Sequence, residues 1–297
     1  MKQQFAGKNY KSSGLRLMNT SLYVISHRTL DNIPMSGCLV PIRSDRTDGI
    51  NIGEKANYCE LRSQYWVWKN ELNDQDDQDF IGFFHFRRFL DICSDKIIGL
   101  PLQKRPSPYK IQKFPDLKKY SKINVEALLR NWDAIAPIWE YTGLSVRERY
   151  ASSRGLAEKD LDIVYQIIRK KYSQYLWAAD TYLNGKGEYY MNMFILRRNL
   201  FSSYCKFLFG VLFEFDQLVS DPMPRTNGYL GERLFGIWFT WLQSKQDARC
   251  GELPRIHFYG FDDPDHSFKR KRIENLILPP GSHLKGYVRK IIAILEN

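Results

Sequence analysis

Phe80-Ile-Gly-Phe-Phe-His-Phe-Arg-Arg-Phe-Leu90 decides the fold. Five residues without a charge run into His85, Arg87 and Arg88. A short apolar run that breaks into polar residues is the pattern of a strand buried on both faces that reaches the rim of its sheet. Ser21-Leu-Tyr-Val-Ile-Ser-His-Arg28 repeats it, with His27 and Arg28 at the polar end. Gly37-Cys-Leu-Val-Pro-Ile-Arg43 is a further candidate strand, and Pro41 assigns it to an edge because proline cannot donate to a ladder. Between these strands, Tyr58, Leu61, Tyr65 and Trp68 recur at three-to-four-residue spacing, which predicts an amphipathic helix over Asn57–Asn70. Asn57 and Glu60 stand as the N-cap and N3 acid of a capping box. The order β–β–loop–α–β over residues 21–90 predicts an α/β protein.

Further along, the proline- and lysine-rich stretch 91–123 predicts a long loop or small insertion. Val125–Arg130 suits a short helix, Trp132–Trp139 a strand, and Ser145–Tyr150 a mobile charged segment. Glu158–Tyr182 predicts a helix and Tyr189–Leu196 a strand. A helix over Leu200–Val219 is capped by Asn199, and Gly228–Leu242 is a strongly apolar helix. Residues 254–280 predict loop and short strand, and His283–Leu295 a basic amphipathic helix. Residues 1–19 are expected to be a flexible leader, residues 20–260 one folded domain, and residues 261–297 a basic C-terminal extension.

The chain has 297 residues, 43% of them hydrophobic and 26% charged, which excludes a disordered or fibrous protein. No apolar run reaches the roughly 18 residues of a membrane span, and the first residues hold no apolar core of a signal peptide. Five cysteines without a C-x-x-C pair argue against a zinc finger or disulfide scaffold and for a reducing cytoplasm. Forty-four Lys+Arg against 33 Asp+Glu give a net charge of +11. That charge suits nucleic acid, an anionic membrane surface or a phosphorylated substrate.

Several constellations could carry chemistry. Arg87 and Arg88 present forked donors that match phosphate oxygens. His85 beside them is a phosphate donor, a metal ligand, or a satisfied strand-end histidine. Glu232 is a lone acid in an apolar helix with Arg233 next to it. It is either a general base in a partly dry cleft or an acid favoured by the helix dipole. Asn192, in Tyr189-Tyr-Met-Asn-Met-Phe-Ile-Leu196, is an amide in an apolar run; it holds a sugar hydroxyl or satisfies nearby backbone. Asn57, Tyr58 and Glu60, with Arg62 and Gln64, open a helix whose N-terminus suits an anion, or simply cap it. His27 and Arg28 flank a nucleotide base or end a strand in a turn. Trp66 and Trp68 are sugar platforms or core. P-loop, dinucleotide-binding, G-x-S-x-G and zinc-hydrolase motifs are all absent from the sequence. Asp74-Gln-Asp-Asp-Gln-Asp79 spells D-x-D but precedes the central strand, and Asp262-Asp-Pro-Asp265 lies in a loop.

Four motifs then occur in one order: Asn57-Tyr-Cys-Glu-Leu with Tyr65-Trp-x-Trp-Lys-Asn70; Ile81-Gly-x-x-His-Phe-Arg-Arg-Phe89; Asn192-Met-Phe-Ile-Leu with Phe201-x-x-Tyr-Cys-x-x-Leu-Phe209; and Gly228-Tyr-Leu-x-Glu-Arg-Leu-Phe235. In this the chain resembles the domain-of-unknown-function 4422 (DUF4422) family, found among bacterial capsular and O-antigen polysaccharide glycosyltransferases. Phe86 stands where Tyr is more usual, and Arg62-Ser63 where Thr-Ala is more usual. The resemblance implies a GT-A-like α/β fold, with a Rossmann-like central mixed sheet flanked by helices in a single domain. It implies transfer of a hexose, with UDP-galactose the first donor to test, to a glycan or lipid-linked oligosaccharide in surface-polysaccharide synthesis. His85, Arg87 and Arg88, then Asn192, then Glu232 and Arg233, fall on its motifs.

A departing diphosphate needs cationic stabilisation, from a metal or from arginine and histidine. Arg87 and Arg88 are expected to supply it. Glu232 would deprotonate the acceptor if the enzyme inverts, or orient it if it retains, and Tyr190 and Asn192 would hold the donor sugar. Divalent Mg or Mn stays an alternative, with His85 its one candidate ligand, because the central strand ends in H-F-R-R rather than D-x-D. Peripheral contact with an anionic membrane at the inner face of the plasma membrane is expected of the tail, and no nucleic acid. The rival readings are a nucleic-acid-binding protein and a non-catalytic membrane-surface scaffold.

Overall fold

A computed structural model describes residues 19–27, 37–72, 79–92, 98–99, 107–113, 117–153, 155–259 and 265–295. Arg28, Cys93, the acidic residues 74–77 and 262–264, and the expected leader up to residue 18 lie outside them. In chain order the elements are β1 (Thr20–Ser26), β2 (Leu39–Arg43), α1 (Leu61–Asn70), β3 (Phe80–His85), β4 (Arg88–Leu90), β5 (Ile98–Gly99) and β6 (Tyr109–Gln112). Next come α2 (Lys122–Leu129), β7 (Ala134–Pro137), β8 (Glu140–Tyr141), α3 (Val146–Ala151), α4 (Glu158–Lys171), α5 (Leu176–Asn184), β9 (Gly187–Glu188) and β10 (Phe194–Arg197). The chain continues with α6 (Arg198–Leu218), α7 (Thr226–Gln243), β11 (Cys250–Leu253), β12 (Arg255–Phe258), α8 (Asp265–Ile277) and α9 (His283–Leu295).

Ten strands form one mixed sheet, and β8 and β9 a separate ribbon. β3 is central: it runs parallel to β1 and antiparallel to β10. Among the described residues β2 pairs only with β1, which leaves Pro41 on an edge as its missing N–H requires. The two faces of β3 feed two cores. Phe80 and Phe84 pack with Tyr120, Val125 and Leu129 on one side. Ile81 and Phe83 pack with α1 and α4–α7 on the other. This is the period-two alternation of a strand buried on both faces. His85, two positions beyond Phe83, therefore emerges on the α7 side. At Gly82 a Cβ would sit 2.6 Å from Leu22 Cδ2, so only glycine lets these strands pack.

Several expectations need correction. Phe80–Leu90 is not one strand: Phe86 and Arg87 form a tight turn and Arg88 returns opposite His85. Tyr189–Met193 is no strand either; Met191 and Asn192 take left-handed φ values of 79° and 48°, and the ladder begins at Phe194. Ser145–Tyr150 is an ordered helix start with a complete Ser145–Glu148 capping box. Asn57 and Glu60 make no such box, because Ala56–Tyr58 is a 3₁₀ turn and α1 starts only at Leu61. The Glu158–Tyr182 helix breaks at Tyr172 into α4 and α5. Asn199 lies inside α6 rather than capping it. Residues 265–277, expected as loop, form α8.

Candidate active site

The C-terminal ends of the parallel strands β1 and β3 lie side by side, Ile25 opposite His85. Ligands of open α/β sheets bind at such ends. A cavity of about 570 Å³ opens there, walled by the β3–β4 turn, the 56–62 segment, the 188–191 turn and the first turns of α7. It gathers His27, Glu60, His85, Arg87, Arg88, Tyr190, Glu232 and Arg233 from the residues singled out by sequence. Asn57, Tyr58 and Asn192 do not line it. Tyr58 turns away and donates its hydroxyl to Asp216 (2.9 Å), while Asn57 Oδ1 accepts the Arg225 N–H.

Asn192 is buried and acts from behind the wall. Its Nδ2 donates to Glu60 Oε1 (2.8 Å) and to the Gly228 carbonyl (3.0 Å). Gln64 Nε2 holds its carbonyl at 2.9 Å. Glycines let α7 come this close: a Cβ on Gly231 would lie 2.7 Å from Leu61, and one on Gly228 3.0 Å from Cys59 Sγ. The adjoining Met191 is tied at both ends. Its N–H donates to Glu232 Oε1 (2.6 Å) and its carbonyl meets His85 Nε2 (2.7 Å). A carbonyl only accepts, so His85 carries its proton on Nε2. Burial holds the His85 pKa below its ordinary value, against the pull of Glu60. The ring is thus a neutral brace of the 188–191 turn.

Among the described residues, the four non-glycine residues with positive φ are Cys59, Met191, Asn192 and Arg225. Three line the cavity and the fourth braces it. Left-handed conformations cost on the order of 1–2 kcal/mol each and persist where the surroundings enforce them, most often at functional sites.

The α7 wall holds the ionisable core. Glu232 is pushed up to about 7, chiefly by burial and also by Glu60 and Glu188, against the pull of Arg233 and the Met191 N–H. Arg233 donates to Glu232 Oε2 (2.8 Å) and reaches Glu188 at 3.4 Å. Burial opposes its charge, but the two carboxylates outweigh burial and raise its pKa. Burial also raises the Tyr190 hydroxyl, helped by Glu188. Arg88 is lowered by burial and by its neighbours Arg87 and Arg255.

Six arginines (62, 87, 88, 149, 225 and 233) face three glutamates (60, 188 and 232), so the cavity is strongly cationic. Sequence reasoning gave no role to Glu188, Arg149 or Arg225. Arg149 was discoverable from the Ser145-x-x-Glu148 capping signature, which sets it on a helix. Arg225 sits in a loop that looks like any polar turn, and only the fold brings it beside Cys59 and over the Tyr229 ring.

The donors do not fit a divalent metal. Glu60, Glu188 and Glu232 are each engaged by an amide or an arginine, and His85 Nε2 is spent on a carbonyl. Among the described residues no three His, Cys, Asp or Glu converge. Asp79, the described member of the D-x-D strings near β3, lies at the opposite end of that strand, accepting the Asn19 N–H.

A fold and cavity of this kind define an α/β protein with a strongly cationic cavity at its strand ends. The chain belongs to the DUF4422 family (domain of unknown function), whose profile matches residues 29–245. Among functionally curated proteins no match is found. The fold is similar to that of the WbbM bifunctional glycosyltransferase in its apo structure, with a TM-score of 0.69 and 24% identity. The similarity covers 81% of this chain and 45% of that one, so the chain spans under half of the WbbM chain.

Proposed function

We propose that the protein is a nucleotide-sugar-dependent glycosyltransferase, with residues 20–260 as its GT-A-like catalytic domain. The observation that carries this is the pairing, in one strand-end cavity, of an arginine-lined floor with a buried glutamate that titrates near neutrality. In the reaction the bond between the anomeric carbon and the diphosphate oxygen breaks, and its electron pair leaves with the diphosphate. Arg87, Arg88 and Arg225 take up that charge without reorganisation. The acceptor oxygen forms the new bond to carbon, and its proton passes to Glu232. A base with a pKa close to the working pH is well matched to that transfer. Arg233 and the Met191 N–H aim the carboxylate. Tyr190 and Glu60 face the sugar, and His85 fixes the wall between them.

The first donor to test is UDP-galactose, and the acceptor is a glycan or lipid-linked oligosaccharide of surface-polysaccharide synthesis. Among the described residues no helix is long and apolar enough to cross a membrane. The reading places the protein on the inner face of the plasma membrane by peripheral contact. A panel of nucleotide sugars scored by thermal shift, with and without EDTA, tests it. One nucleotide sugar is expected to raise Tm by linkage in both conditions. A protein stabilised by oligonucleotides and by none of the sugars would be a nucleic-acid binder instead.

A further inference from the structure

Helix α9 is built inside out. Lys285 is 7% exposed and Gly286 is buried against Gly143, while Arg289 reaches inward to Glu140. Its exposed apolar side chains mostly point the other way: Leu284 is 56% exposed, Tyr287 66% and Ile291 45%, whereas Ile292, also exposed, falls by helical spacing on the Lys285 side. A helix facing water has the opposite polarity. Helix α8 does the same beside it. Its inner face carries Phe268 against the Tyr259 ring and, toward its C-terminal end, polar groups: Lys285 Nζ is bonded to Glu274 and Asn275, and the Tyr109 hydroxyl to Asn275. Its outer face shows Ile273, Leu276 (82% exposed) and Ile277. Helical spacing sets Arg270 and Arg272 along the flanks of that apolar row and Lys269 in line with it, one turn before Ile273; all three are exposed, as is Lys290 on α9. Glu274 is the one acid among the described side chains of the two helices, and it is paired with Lys271 and Lys285.

We infer that α8 and α9 together form a docking face for an anionic lipid bilayer. An apolar row flanked by cations, with its single acid neutralised, is complementary to acyl chains below a layer of negative headgroups. Isolated exposed aliphatics need no explanation, but five and a tyrosine on the outer faces of two adjoining helices exceed what a surface in contact with water carries by chance.

The face also has a direction. Arg289 and Arg255 both pair with Glu140 on β8. Glu140 lies opposite Glu188 in the β8–β9 ribbon, and Glu188 lines the cavity. His283 packs on Tyr141 of the same ribbon, with ring centroids 4.5 Å apart. A bilayer seated on α8–α9 therefore lies on the side of the molecule where the β8–β9 ribbon brings Glu188 to the cavity. On the transferase reading, on which this step rests, that end receives an acceptor anchored in the membrane.

Co-sedimentation of the full chain with vesicles tests this. Binding is expected to phosphatidylcholine vesicles containing phosphatidylglycerol, and not to phosphatidylcholine alone. Leu276→Glu combined with Ile291→Glu is expected to lower the partition by about tenfold or more. Both positions are exposed, so the fold tolerates the change. Ile123→Glu, on α2 and as exposed as Leu276, is expected to leave it unchanged. The UDP-induced rise in Tm should be the same in all three proteins. Absence of binding to the anionic vesicles, or undiminished binding of the double variant, overturns the inference while leaving the transferase reading in place. So does a concentration-dependent dimer that the double variant abolishes, since a second copy would then cover the face. Normal partition with no response to any nucleotide sugar overturns the transferase reading alone.

Discussion

Glu232 accepts the backbone N–H of Met191 at 2.6 Å, and so joins the second turn of α7 to a left-handed turn that precedes β10. The bond fixes one carboxylate oxygen in direction. It also anchors a residue whose φ of 79° is held by His85 on its other side. Position and pKa of Glu232 thus depend on backbone that the sequence alone presents as strand.

Glu232→Gln is expected to keep UDP binding and to lose transfer by about 10²–10⁴-fold, the usual range for a general base. Wild-type transfer should rise with pH through about 7, because the base acts deprotonated. Stability runs the other way. A carboxyl raised from 4.5 to about 7 favours the fold when protonated; that contribution is complete below 4.5 and is lost as pH rises through about 7. The stability of wild type relative to Glu232→Gln should therefore be greater in acid than on the alkaline side of 7. Full transfer activity in the variant would remove the assigned role.

Asn192 tests whether the left-handed turn is enforced by its side chain. Asn192→Ala removes the bonds to Glu60 and Gly228 and places a Cβ at φ 48° without the local bonding that asparagine offers there. The expected loss is about 2–4 kcal/mol. Asn192→Gly loses the same bonds but relieves the backbone, and should be more stable than the alanine variant by about 1 kcal/mol. Denaturant titration separates them. Equal losses would mean that Gln64, His85 and Glu232 hold the turn without help from residue 192.

Arg88→Ala and Arg225→Ala are each expected to weaken UDP binding by about 10–100-fold, the loss of a charge-assisted bond to phosphate. EDTA should leave the wild-type affinity unchanged, because the glutamates of the cavity are already engaged by arginines and amides. Calorimetric titration of UDP reads both effects. A dependence on Mg²⁺ or Mn²⁺ that survives Arg88→Ala would assign the diphosphate to a metal instead.

The strands were legible where burial dictated them. Phe80–Phe84 and Leu22–Ile25 are apolar runs of a length that strands alone fit, and Pro41 marked its own edge. The turn at 189–193 was not legible. Tyr189, Met193 and Phe194 are all buried, so hydropathy is the same for turn and strand, and what bends the chain is a set of bonds from Gln64, Glu60, Glu232 and His85 far away in sequence. Glu60 shows the same limit: local spacing made it a capping acid, whereas Asn192, 132 residues on, draws it to the cavity. The inverted polarity of α9 was half legible. Its amphipathic period stands in the sequence, but which side faces inward is set by Gly143, Glu140 and Glu274.

Asp133 stands at the entry of β7 and ties it to both neighbouring strands. Oδ1 accepts Arg197 Nε (2.5 Å) and Arg249 Nη2 (3.0 Å), and Oδ2 accepts the Arg249 backbone N–H (2.9 Å). Burial alone would raise its pKa, but Arg249 and Arg197 outweigh burial and hold the carboxyl well below the usual range. A depressed carboxylate adds stability that is present above the unfolded value of about 3.8 and is lost as pH falls through the folded one. Asp133→Asn should therefore cost about 2 kcal/mol at neutral pH, since half-exposed Arg249 is partly screened by solvent. The cost should shrink as pH falls below about 3.8, where protonation of the unfolded chain begins to remove that contribution from the wild type. Urea titrations of both proteins across that window measure it. A cost independent of pH would mean that the three strands are joined by the geometry of the side chain and not by its charge.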